Sequence, residues 1–457
     1  MDESLKCENT ITFKQIIKTA YPVIISMLSL NIMLFVDRAF VAQYNLTQFS
    51  AIMPAGFFGM AIANIFLGIS GYASIFVSQY YGAGKYKSCS SSMWQGVYAS
   101  IILSIVLLML SPLTSNVFEL MGHTGDLLKY ERHYYYFIIA SSCVQLFSVA
   151  FSSIYIGIGD TRIIMFAGIT TNISNIILDW ILVFGKFGIR EMGIYGSGMA
   201  TFISCIIGVI IYIVLLNRKI FKKNDFGIFT NKRIDIPLLK RLMKYGLPAG
   251  IQSFVSTGYF SFLLLIIGKT GEFNLSCSNI AFTIEGMSVF PLIGLGTAIG
   301  IVAAQERGAG RVGNIPKVVK KGIMIGFGFN LILAFVYNFS PGFLVSIFNS
   351  GSETEKFILI NNTAILLVRL TSIWLAGDTV NIILGSVLRS VGDTLYMLLI
   401  SMIVPFLFYI VFPYIVCVIA KLPLFWLWIE LVVYTALMVV LTSTRFLGGK
   451  WKSISVI

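Results

Sequence analysis

Charged residues are scarce in this chain of 457 residues: they make up 12% of it, whereas soluble domains carry about 25%. Hydrophobic residues reach 57%, and the mean hydropathy is +0.87. These values exclude an ordinary soluble domain. The net charge of +13 comes from Lys and Arg that are spread over the segments between apolar runs. Because they form no single basic patch, we expect no nucleic-acid partner.

Histidine and cysteine are also few, and their positions exclude the common metal and disulfide frameworks. His123 and His133 lie in one loop without the spacing of metal ligands, and we expect both to be solvated. The six cysteines offer no plausible pair. The sequence contains neither a phosphate-binding loop after a strand nor a nucleophile-base pair. We therefore predict that the protein is not an enzyme and needs no cofactor.

Long apolar runs, in contrast, are abundant, and about twelve reach the roughly 20 residues that a helix needs to cross a bilayer. Strands of a membrane barrel would be shorter and would alternate polar with apolar residues, which these runs do not. The sequence predicts an all-α polytopic membrane protein. Its predicted spans lie near residues 18–43, 51–80, 92–117, 130–157, 163–184, 193–217, 244–268, 279–304, 318–348, 358–388, 395–418 and 423–444.

Lys and Arg are distributed unevenly between these spans. Of the 33 residues, 24 lie at the termini, in the even-numbered loops or at the adjoining ends of spans, whereas the odd-numbered loops and their adjoining span ends hold 7. Cytoplasmic loops of membrane proteins carry an excess of basic residues. This rule places both termini and the even-numbered loops in the cytoplasm.

The chain also contains an internal repeat. Three pairs of identical residues are separated by 226 positions: Pro22 and Pro248, Gln79 and Gln305, and Gly82 and Gly308. A Gly-Asp-Thr triplet at 159–161 returns at 392–394, a spacing of 233, and its acids are expected to cap the following helices. A spacing held across several spans indicates a duplicated helical bundle.

The repeat predicts two six-helix lobes, residues 1–217 and 244–457, joined by a basic linker at 218–243. Because six is an even number, the second lobe begins on the same side of the membrane as the first. The lobes are therefore predicted to form a parallel repeat about an axis along the membrane normal. Such halves commonly enclose a substrate site, and we expect a central cavity.

Five acidic residues lie inside the predicted spans, at least five positions from either end: Asp37, Asp179, Glu285, Asp378 and Glu430. A carboxylate at the middle of a bilayer costs about 2.5–3.5 kcal/mol on insertion scales, so such residues commonly face a cavity or partner and serve a function. The repeat does not mirror these acids. We infer that the lobes share a scaffold but differ in chemistry.

Asn175 and Asp179 are four positions apart and share one face of the fifth span. Amide and carboxylate oxygens suit a hard monovalent cation, and a lone carboxylate can take a proton instead. The alternative is a polar contact between helices, worth about 1 kcal/mol. The residues alone leave both interpretations open.

The remaining acids also have structural alternatives. Asp37 is followed by Arg38 near the external end of the first span, where an acid beside a snorkelling arginine is the alternative to a cation site. Asp378 has Trp374 one turn earlier, which would offer an organic cation both a countercharge and a π face. The alternative there is aromatic packing beside a contact between helices. Glu285 lies well inside the eighth span.

With these residues the chain resembles the multidrug and toxic compound extrusion (MATE) family over about residues 14–445. The matching features are Pro22 with the following Val36-Asp37, the Gln-x-x-Gly-Ala-Gly segments and the two Gly-Asp-Thr turns. The most specific stretch runs from Asn175-x-x-x-Asp179 to the Gly-Ser-Gly-Met-Ala-Thr motif at 196–201. That stretch is similar to the NorM branch of bacterial transporters.

The resemblance implies a cation site in the first lobe. Asp37, Asn175, Asp179 and Thr201 match positions that bind Na⁺ or a proton in the family, and Na⁺ is the metal implied at the first three. One departure concerns Arg38, because the family usually has a small polar residue there. Its positive charge would lower the proton affinity of the preceding acid.

The resemblance also implies a second site, in the second lobe. Asp378 matches an acid associated with cation or substrate binding, and we group Glu285 and Trp374 with it. A glutamate that the NorM branch often has in the seventh span is replaced here by Ser256. This replacement weakens the expectation of a Na⁺ site in the second lobe.

Together these features predict a Na⁺- or H⁺-coupled antiporter that exports drugs or toxic, cationic and amphipathic compounds by alternating access. Pro22 and Pro248 are the candidate hinges. The expected partners are small organic substrates and the lipid bilayer of the cytoplasmic (inner) membrane. We predict that the protein is a monomer.

The alternative is a flippase or exporter of a lipid-linked sugar or polysaccharide in the same superfamily. Lipids that carry a pyrophosphate need a cavity lined with Arg or Lys, and these flippases often carry additional spans. At least five positions from their ends, the predicted spans contain five acids and two arginines, Arg38 and Arg369. This balance favours a cationic substrate.

Overall fold

The computed structural model describes residues 12–217, 221, 226–348 and 354–457. Within these ranges the chain forms helices and no strands. Twelve of the described helices are long and apolar enough to cross a membrane. The prediction of an all-α polytopic protein with about twelve spans is confirmed. Residues 218–220 and 222–225 of the predicted linker lie outside the described residues.

We number the twelve spanning helices α1 to α12 in chain order. They are Phe13–Tyr44, Thr47–Gly82, Tyr86–Leu120, Gly125–Ile158, Thr161–Phe184, Ile194–Leu215, Ile236–Gly268, Glu272–Gly308, Val312–Phe339, Ile360–Ser390, Thr394–Ile419 and Leu424–Leu447. The ninth predicted span, 318–348, was too long, because α9 ends at Phe339 and a short helix, Pro341–Ser346, follows.

The helix α11 changes its winding along its length. Its first part is α-helical, whereas Leu407–Val411 and Tyr414–Ile419 are π-helical. Pro405 and Pro413 lie in this region, and each lacks the N–H group that continues an α-helical hydrogen-bond ladder. Wide turns of this kind are frequent at functional sites, and one of them carries Tyr409.

The acids of the two Gly-Asp-Thr triplets occupy the expected helix-start positions but do not cap them. Neither Asp160 nor Asp393 makes a side-chain cap hydrogen bond, so that prediction was wrong. Asp393 instead forms a bidentate ion pair with Arg445 of α12, at 2.7 Å and 3.0 Å. A bidentate arginine is a stronger partner for a carboxylate than a backbone amide.

The chain divides into two compact units. The first unit contains the described residues of 1–24, 255–303 and 311–455, and the second contains 25–254, 304–310 and 456–457. The first unit thus includes the beginning of α1, and the second includes the beginning of α7 and the end of α8. The lobe boundaries at 217 and 244 stay a prediction from the repeat.

Within the second unit, the glycines of the two Gln-x-x-Gly-Ala-Gly segments allow α2 and α8 to touch at their ends. A Cβ atom on Gly82 would lie 1.9 Å from the carbonyl oxygen of Gln305, and one on Gly308 would lie 1.8 Å from that of Gln79. The Gln305 amide also donates to the carbonyl oxygen of Gly157 at 2.8 Å. Only glycine permits backbones to approach this closely. The repeated motif is therefore a contact surface between its own two copies.

One histidine is more enclosed than expected. His123 Nδ1 lies 2.9 Å from both carboxylate oxygens of Glu131, whose side chain is fully buried, although the His123 side chain itself is 31% exposed. His133 is exposed, and its Nδ1 lies 2.7 Å from the carbonyl oxygen of Lys129. The prediction of two solvated histidines was therefore wrong for His123. No group of three or more potential metal ligands occurs among the described His, Cys, Asp and Glu residues.

Candidate functional site

The first candidate site lies in the second unit around Asp37, which is only 4% exposed. Ser197 of α6 donates its hydroxyl hydrogen to Asp37 Oδ1. Tyr134 of α4 donates from its hydroxyl to Asp37 Oδ2 at 3.5 Å. Both partners are buried. The structure thus places this acid in a packed polar pocket formed by three helices.

Two glycines explain why the Ser197 hydroxyl reaches the acid. A Cβ atom on Gly196 would lie 2.7 Å from the carbonyl carbon of Leu182 in α5, and one on Gly198 would lie 2.6 Å from the Phe137 side chain in α4. The glycines therefore bring α6 close to both neighbouring helices. The residue between them is held where those helices meet.

Asn175 and Asp179 are fully buried on α5 and share one face, as their spacing indicated. In the orientation that satisfies both neighbours, the Asn175 amide nitrogen donates to Asp179 Oδ2 at 3.1 Å. Its oxygen accepts from the backbone nitrogen of Thr201 at 3.3 Å. The polar contact between α5 and α6 is thus present. Asp179 Oδ1 takes no part in it, and this buried atom has no hydrogen-bond partner in the described part of the chain.

Neither Asp37 nor Asp179 forms an ion pair with a lysine or arginine among the described residues. The guanidinium group of Arg38 lies over the Phe57 ring, 5.8 Å from its centre. A buried carboxylate without a countercharge is costly, and a small cation at this position would remove that cost. The chemistry of this pocket is suited to binding H⁺ or Na⁺.

The second unit also contains a cavity of about 200 Å³, formed by parts of α1, α4, α5 and α6. Its polar lining is made of hydroxyl, amide and thiol groups, and no charged side chain lines it. The lining residues are Ser26, Met27, Leu30, Gln145, Ser148, Ala167, Gly168, Thr171, Asn172, Cys205 and Tyr212. Such a surface can accept and donate hydrogen bonds but offers no countercharge to an ion.

The second candidate site lies in the first unit and contains Glu285 of α8 together with Trp374 and Asp378 of α10. Trp374 donates from its indole nitrogen to Glu285 Oε1 at 2.8 Å. All three side chains line one cavity of about 120 Å³. The structure thus brings together the residues that we had grouped from the sequence.

The walls of this cavity are mainly aromatic. Tyr409 and Tyr434 lie with their ring centres 4.9 Å apart, and Phe260 packs edge-on against Phe282 at 5.3 Å. Leu263, Leu431 and Thr435 complete the lining, which contains no lysine or arginine. Two carboxyl groups surrounded by ring faces form an environment that suits a cation. Ser256, which replaces the glutamate of the seventh span, is exposed and does not line the cavity.

The candidate hinge residues lie inside helices. Pro22 belongs to α1 and Pro248 to α7, and both helices continue on either side of the proline. A proline in a helix interior removes one backbone hydrogen bond and provides a site for bending.

Several residues of both sites were not found from the sequence. Ser197 and Tyr134 contact Asp37, and Tyr409 and Tyr434 line the second cavity. The flanking glycines were a usable signal for Ser197, since a polar residue between two small ones commonly faces a helix contact. The tyrosines gave no such signal in a chain with 21 of them.

Comparisons with known proteins agree with this architecture. The MatE family model matches residues 22–181 and 248–415, one match in each half of the repeat. The probable multidrug resistance protein NorM of Thermotoga maritima is 26% identical over 451 residues, covering 97% of this chain and 94% of the relative. The probable multidrug resistance protein YoeA of Bacillus subtilis is 25% identical, covering 73% of this chain and 72% of the relative.

Two solved structures show the same fold. An outward-facing multidrug resistance MATE family transporter of the MOP superfamily matches with a TM-score of 0.84 and 20% identity, covering 96% of both chains. A MOP superfamily transporter from Pyrococcus furiosus, described by the reverse polarity of its binding pocket, matches with a TM-score of 0.82 and 20% identity. That match covers 97% of both chains. The resemblance inferred from the motifs is confirmed: the chain belongs to the MatE family and is a multi-pass membrane transporter, not an enzyme.

Proposed function

We propose that the protein is an antiporter that exports cationic, amphipathic organic compounds in exchange for Na⁺ or H⁺. The observation that carries this proposal is the buried Asp37 and Asp179 pocket, in which Asp179 Oδ1 is left without a partner in the described residues. The relatives are named probable multidrug resistance proteins, and these names support a role in drug efflux. The aromatic cavity with Glu285 and Asp378 is the proposed contact for the positive charge of the substrate.

Exchange requires that the ion and the substrate favour different conformations, because a ligand with equal affinity for two states shifts nothing. We assign the ion to the Asp37 and Asp179 pocket and the substrate charge to the aromatic cavity. Ion entry neutralises the pocket and bends α1 near Pro22, and Pro248 offers the corresponding hinge in α7. In this scheme, the glycine contacts between the ends of α2 and α8 close the transport pathway at one side of the membrane.

The membrane potential limits the exchange ratio. One elementary charge that moves down a potential of 100 mV supplies about 2.3 kcal/mol, and a monovalent cationic substrate that leaves against the same potential costs the same amount. A one-for-one exchange is therefore driven by the concentration gradient of the ion alone. A second coupled ion would add about 2.3 kcal/mol, which supports a substrate gradient of roughly fifty-fold.

The coupling ion is tested by flux measurements in proteoliposomes. Drug-dependent uptake of ²²Na⁺ and drug-dependent proton movement are compared at equal membrane potential. The expected result is that one of the two ions moves with the drug and that Asp179→Asn abolishes this movement. Drug transport that proceeds without either ion would contradict the antiport scheme.

The Asn175 amide adds a criterion for the ion. Its nitrogen donates to Asp179, and its oxygen accepts a hydrogen bond from the backbone nitrogen of Thr201. Na⁺ would therefore gain this oxygen as a ligand only if the amide group rotated. A proton requires no such rotation. If Na⁺ is the ion, Asn175→Asp should retain Na⁺ coupling better than Asn175→Leu.

The flippase alternative is less well supported by the cavity chemistry. A lipid-linked pyrophosphate needs basic side chains, and the cavity of the first unit contains two acids and no base. Because a solved neighbour is described by a reversed pocket polarity, the fold alone does not decide the substrate. Binding of a polyprenyl-phosphate lipid at least as tight as that of ethidium would favour the alternative.

We place the protein in the cytoplasmic (inner) membrane, with both termini and the linker on the cytoplasmic side. We also propose that it acts as a monomer. The unequal distribution of Lys and Arg supports this orientation. Labelling of single cysteines introduced at Lys129 and Lys240 with an impermeant reagent tests it. The expected result is external labelling at position 129 only.

A further inference from the structure

Residues 226–235, which lie within the predicted linker directly before α7 and which we call the strap, are held tightly against α3. Three side chains of α3 donate hydrogen bonds to carbonyl oxygens of the strap. Trp94 Nε1 donates to Ile228 at 2.7 Å, Gln95 Nε2 to Arg233 at 3.0 Å and the Tyr98 hydroxyl to Lys232 at 2.5 Å. Gln95 Oε1 accepts from the backbone nitrogen of Asp235 at 3.1 Å. The strap is therefore a fixed part of the second unit.

The level of these contacts along α3 places the strap at the edge of the bilayer. The helix has 35 residues and is about 52 Å long, whereas the hydrocarbon core is about 30 Å thick. Trp94 and Tyr98 lie roughly 12–18 Å from its first residue, and an uncharged apolar run begins at Ala99. Tryptophan and tyrosine are enriched at this depth, where headgroups meet acyl chains.

The outer surface of the strap combines apolar and basic side chains. Phe229 is 47% exposed and Ile234 65% exposed, and Ile236 at the start of α7 is 58% exposed. Lys232 and Arg233 are exposed beside them, and Lys240 is exposed one turn into α7. The acid within the strap, Asp235, is used locally: its Oδ1 accepts from the backbone nitrogen of Leu238 at 2.9 Å.

A cavity adjoins this surface. It has a volume of about 330 Å³ and lies between the end of α6 and the strap. Its lining is Leu216, Asn217, Phe221, Gly227, Ile228, Phe229 and Thr230, so Phe229 and Thr230 belong both to the cavity and to the exposed surface. The amide of Asn217 provides a polar group on its wall. The cavity is large enough for a glycerophosphate group.

We propose that the strap is a binding surface for anionic phospholipid headgroups. Exposed apolar side chains enter the interface, while basic side chains at the same depth attract phosphate groups. Lys232 Nζ lies 5.1 Å from the centre of the Trp94 ring and 5.3 Å from that of the Phe229 ring, so its charge is held at the surface. Lipid binding here would fix the linker against the membrane while the helices move.

The test measures lipid binding and needs no transport. The purified, delipidated full-length protein is titrated in detergent with phosphatidylglycerol or phosphatidylcholine, and bound lipid is counted by native mass spectrometry. The variant is K232Q/R233Q/K240Q, and the matched control, K129Q/K186Q/K269Q, removes three basic residues from the odd-numbered loops. Wild type and control should bind phosphatidylglycerol more tightly than phosphatidylcholine, and the variant should lose about fivefold in affinity for each basic residue removed.

Equal affinity of wild type for the two lipids, or an equal loss in variant and control, overturns the proposal. If the variant does not yield folded protein, the wild type decides: raising the salt from 0.1 M to 0.5 M should release phosphatidylglycerol. Retention at high salt also overturns it. The binding result stands apart from antiport, and only the choice of the cytoplasmic leaflet rests on the orientation proposed above.

Discussion

The two carboxylate sites are located in different units and differ in how their acids are surrounded. In the second unit, Asp37 and Asp179 are nearly inaccessible; Asp37 accepts from hydroxyl groups of neighbouring helices, and Asp179 accepts from the Asn175 amide on its own helix. In the first unit, Glu285 and Asp378 line a cavity of about 120 Å³ whose walls are mainly aromatic. The first arrangement offers buried oxygen ligands that suit an ion without its water, whereas the second offers carboxylates and aromatic faces that suit a diffuse positive charge.

The difference shows how a duplicated scaffold can perform two tasks. The contacts that hold the helices, such as the glycine motifs, are repeated in both halves, whereas the acids are not. Exchange requires that the ion and the substrate favour different conformations, and two separate sites allow each ligand to be recognised by its own chemistry. The asymmetry between the sites thus corresponds to the division of roles proposed here.

The largest expected effect separates the two sites. Asp37→Asn or Asp179→Asn should reduce ethidium export in a pump-deficient host to the level of the empty vector, because the ion site loses its charge. Ethidium binding to the purified variants, measured by fluorescence anisotropy, should stay within about threefold of wild type. Asp378→Asn should weaken this binding at least tenfold, as expected for the loss of one countercharge.

The matched control for these variants is Asp126→Asn, which neutralises an exposed acid at the start of α4. It should leave both export and binding unchanged. The comparison fails if Asp179→Asn weakens ethidium binding as strongly as Asp378→Asn does, because the two sites would then not be separate.

The next largest effect is expected at the contact between the two Gln-x-x-Gly-Ala-Gly segments, which occur in both halves of the repeat. Gly82→Ala or Gly308→Ala should lower the free energy of unfolding by about 1–3 kcal/mol, because the new Cβ atom would meet a carbonyl oxygen at less than 2 Å. Thermal unfolding in detergent measures the change. Gly328→Ala in α9 is the control, because a Cβ atom there meets nothing within 4 Å. Equal stability of Gly308→Ala and Gly328→Ala would show that the contact between α2 and α8 is not formed.

Much of the fold could be predicted because membrane helices follow a simple physical rule. Each span must be long, apolar and internally hydrogen-bonded, and the repeat sets the order of the spans. The π-helical end of α11 was not predicted, since its winding depends on how the chain accommodates Pro405 and Pro413 among its neighbours. The apolar run at 318–348 likewise does not reveal that its helix ends at Phe339.

The sites were only partly predictable. An acid inside a span is visible in the sequence because its insertion is costly, and this rule led to Asp37, Asp179, Glu285 and Asp378. The partners of Asp37 and Glu285 come from other helices, and their choice depends on how the helices rotate and pack. Tyr134, for example, is one of three consecutive tyrosines, and only the structure shows which of them contacts Asp37.

A smaller effect is expected from the indole group of the aromatic cavity. Trp374→Phe keeps a ring but removes the hydrogen bond to Glu285, so substrate affinity should fall about tenfold, in line with the value of a hydrogen bond to a charged group. Isothermal titration of ethidium into the purified protein measures this. Trp426→Phe, at a residue that is 51% exposed and outside the cavity, is the control. An unchanged affinity of Trp374→Phe would exclude the indole group from substrate binding.

The smallest effect tests the hydroxyl groups around Asp37. Ser197→Ala should change the cation concentration at half-maximal drug transport about three- to tenfold, because one hydrogen bond to the carboxylate is lost. Tyr134→Phe should change it less, since its bond is 3.5 Å long. Ser204→Ala is the matched control, because this buried hydroxyl on the same helix donates to the carbonyl oxygen of Thr201, at 2.9 Å. If the control shifts the half-maximal concentration as much as Ser197→Ala does, the change reflects the packing of α6 and not the bond to Asp37.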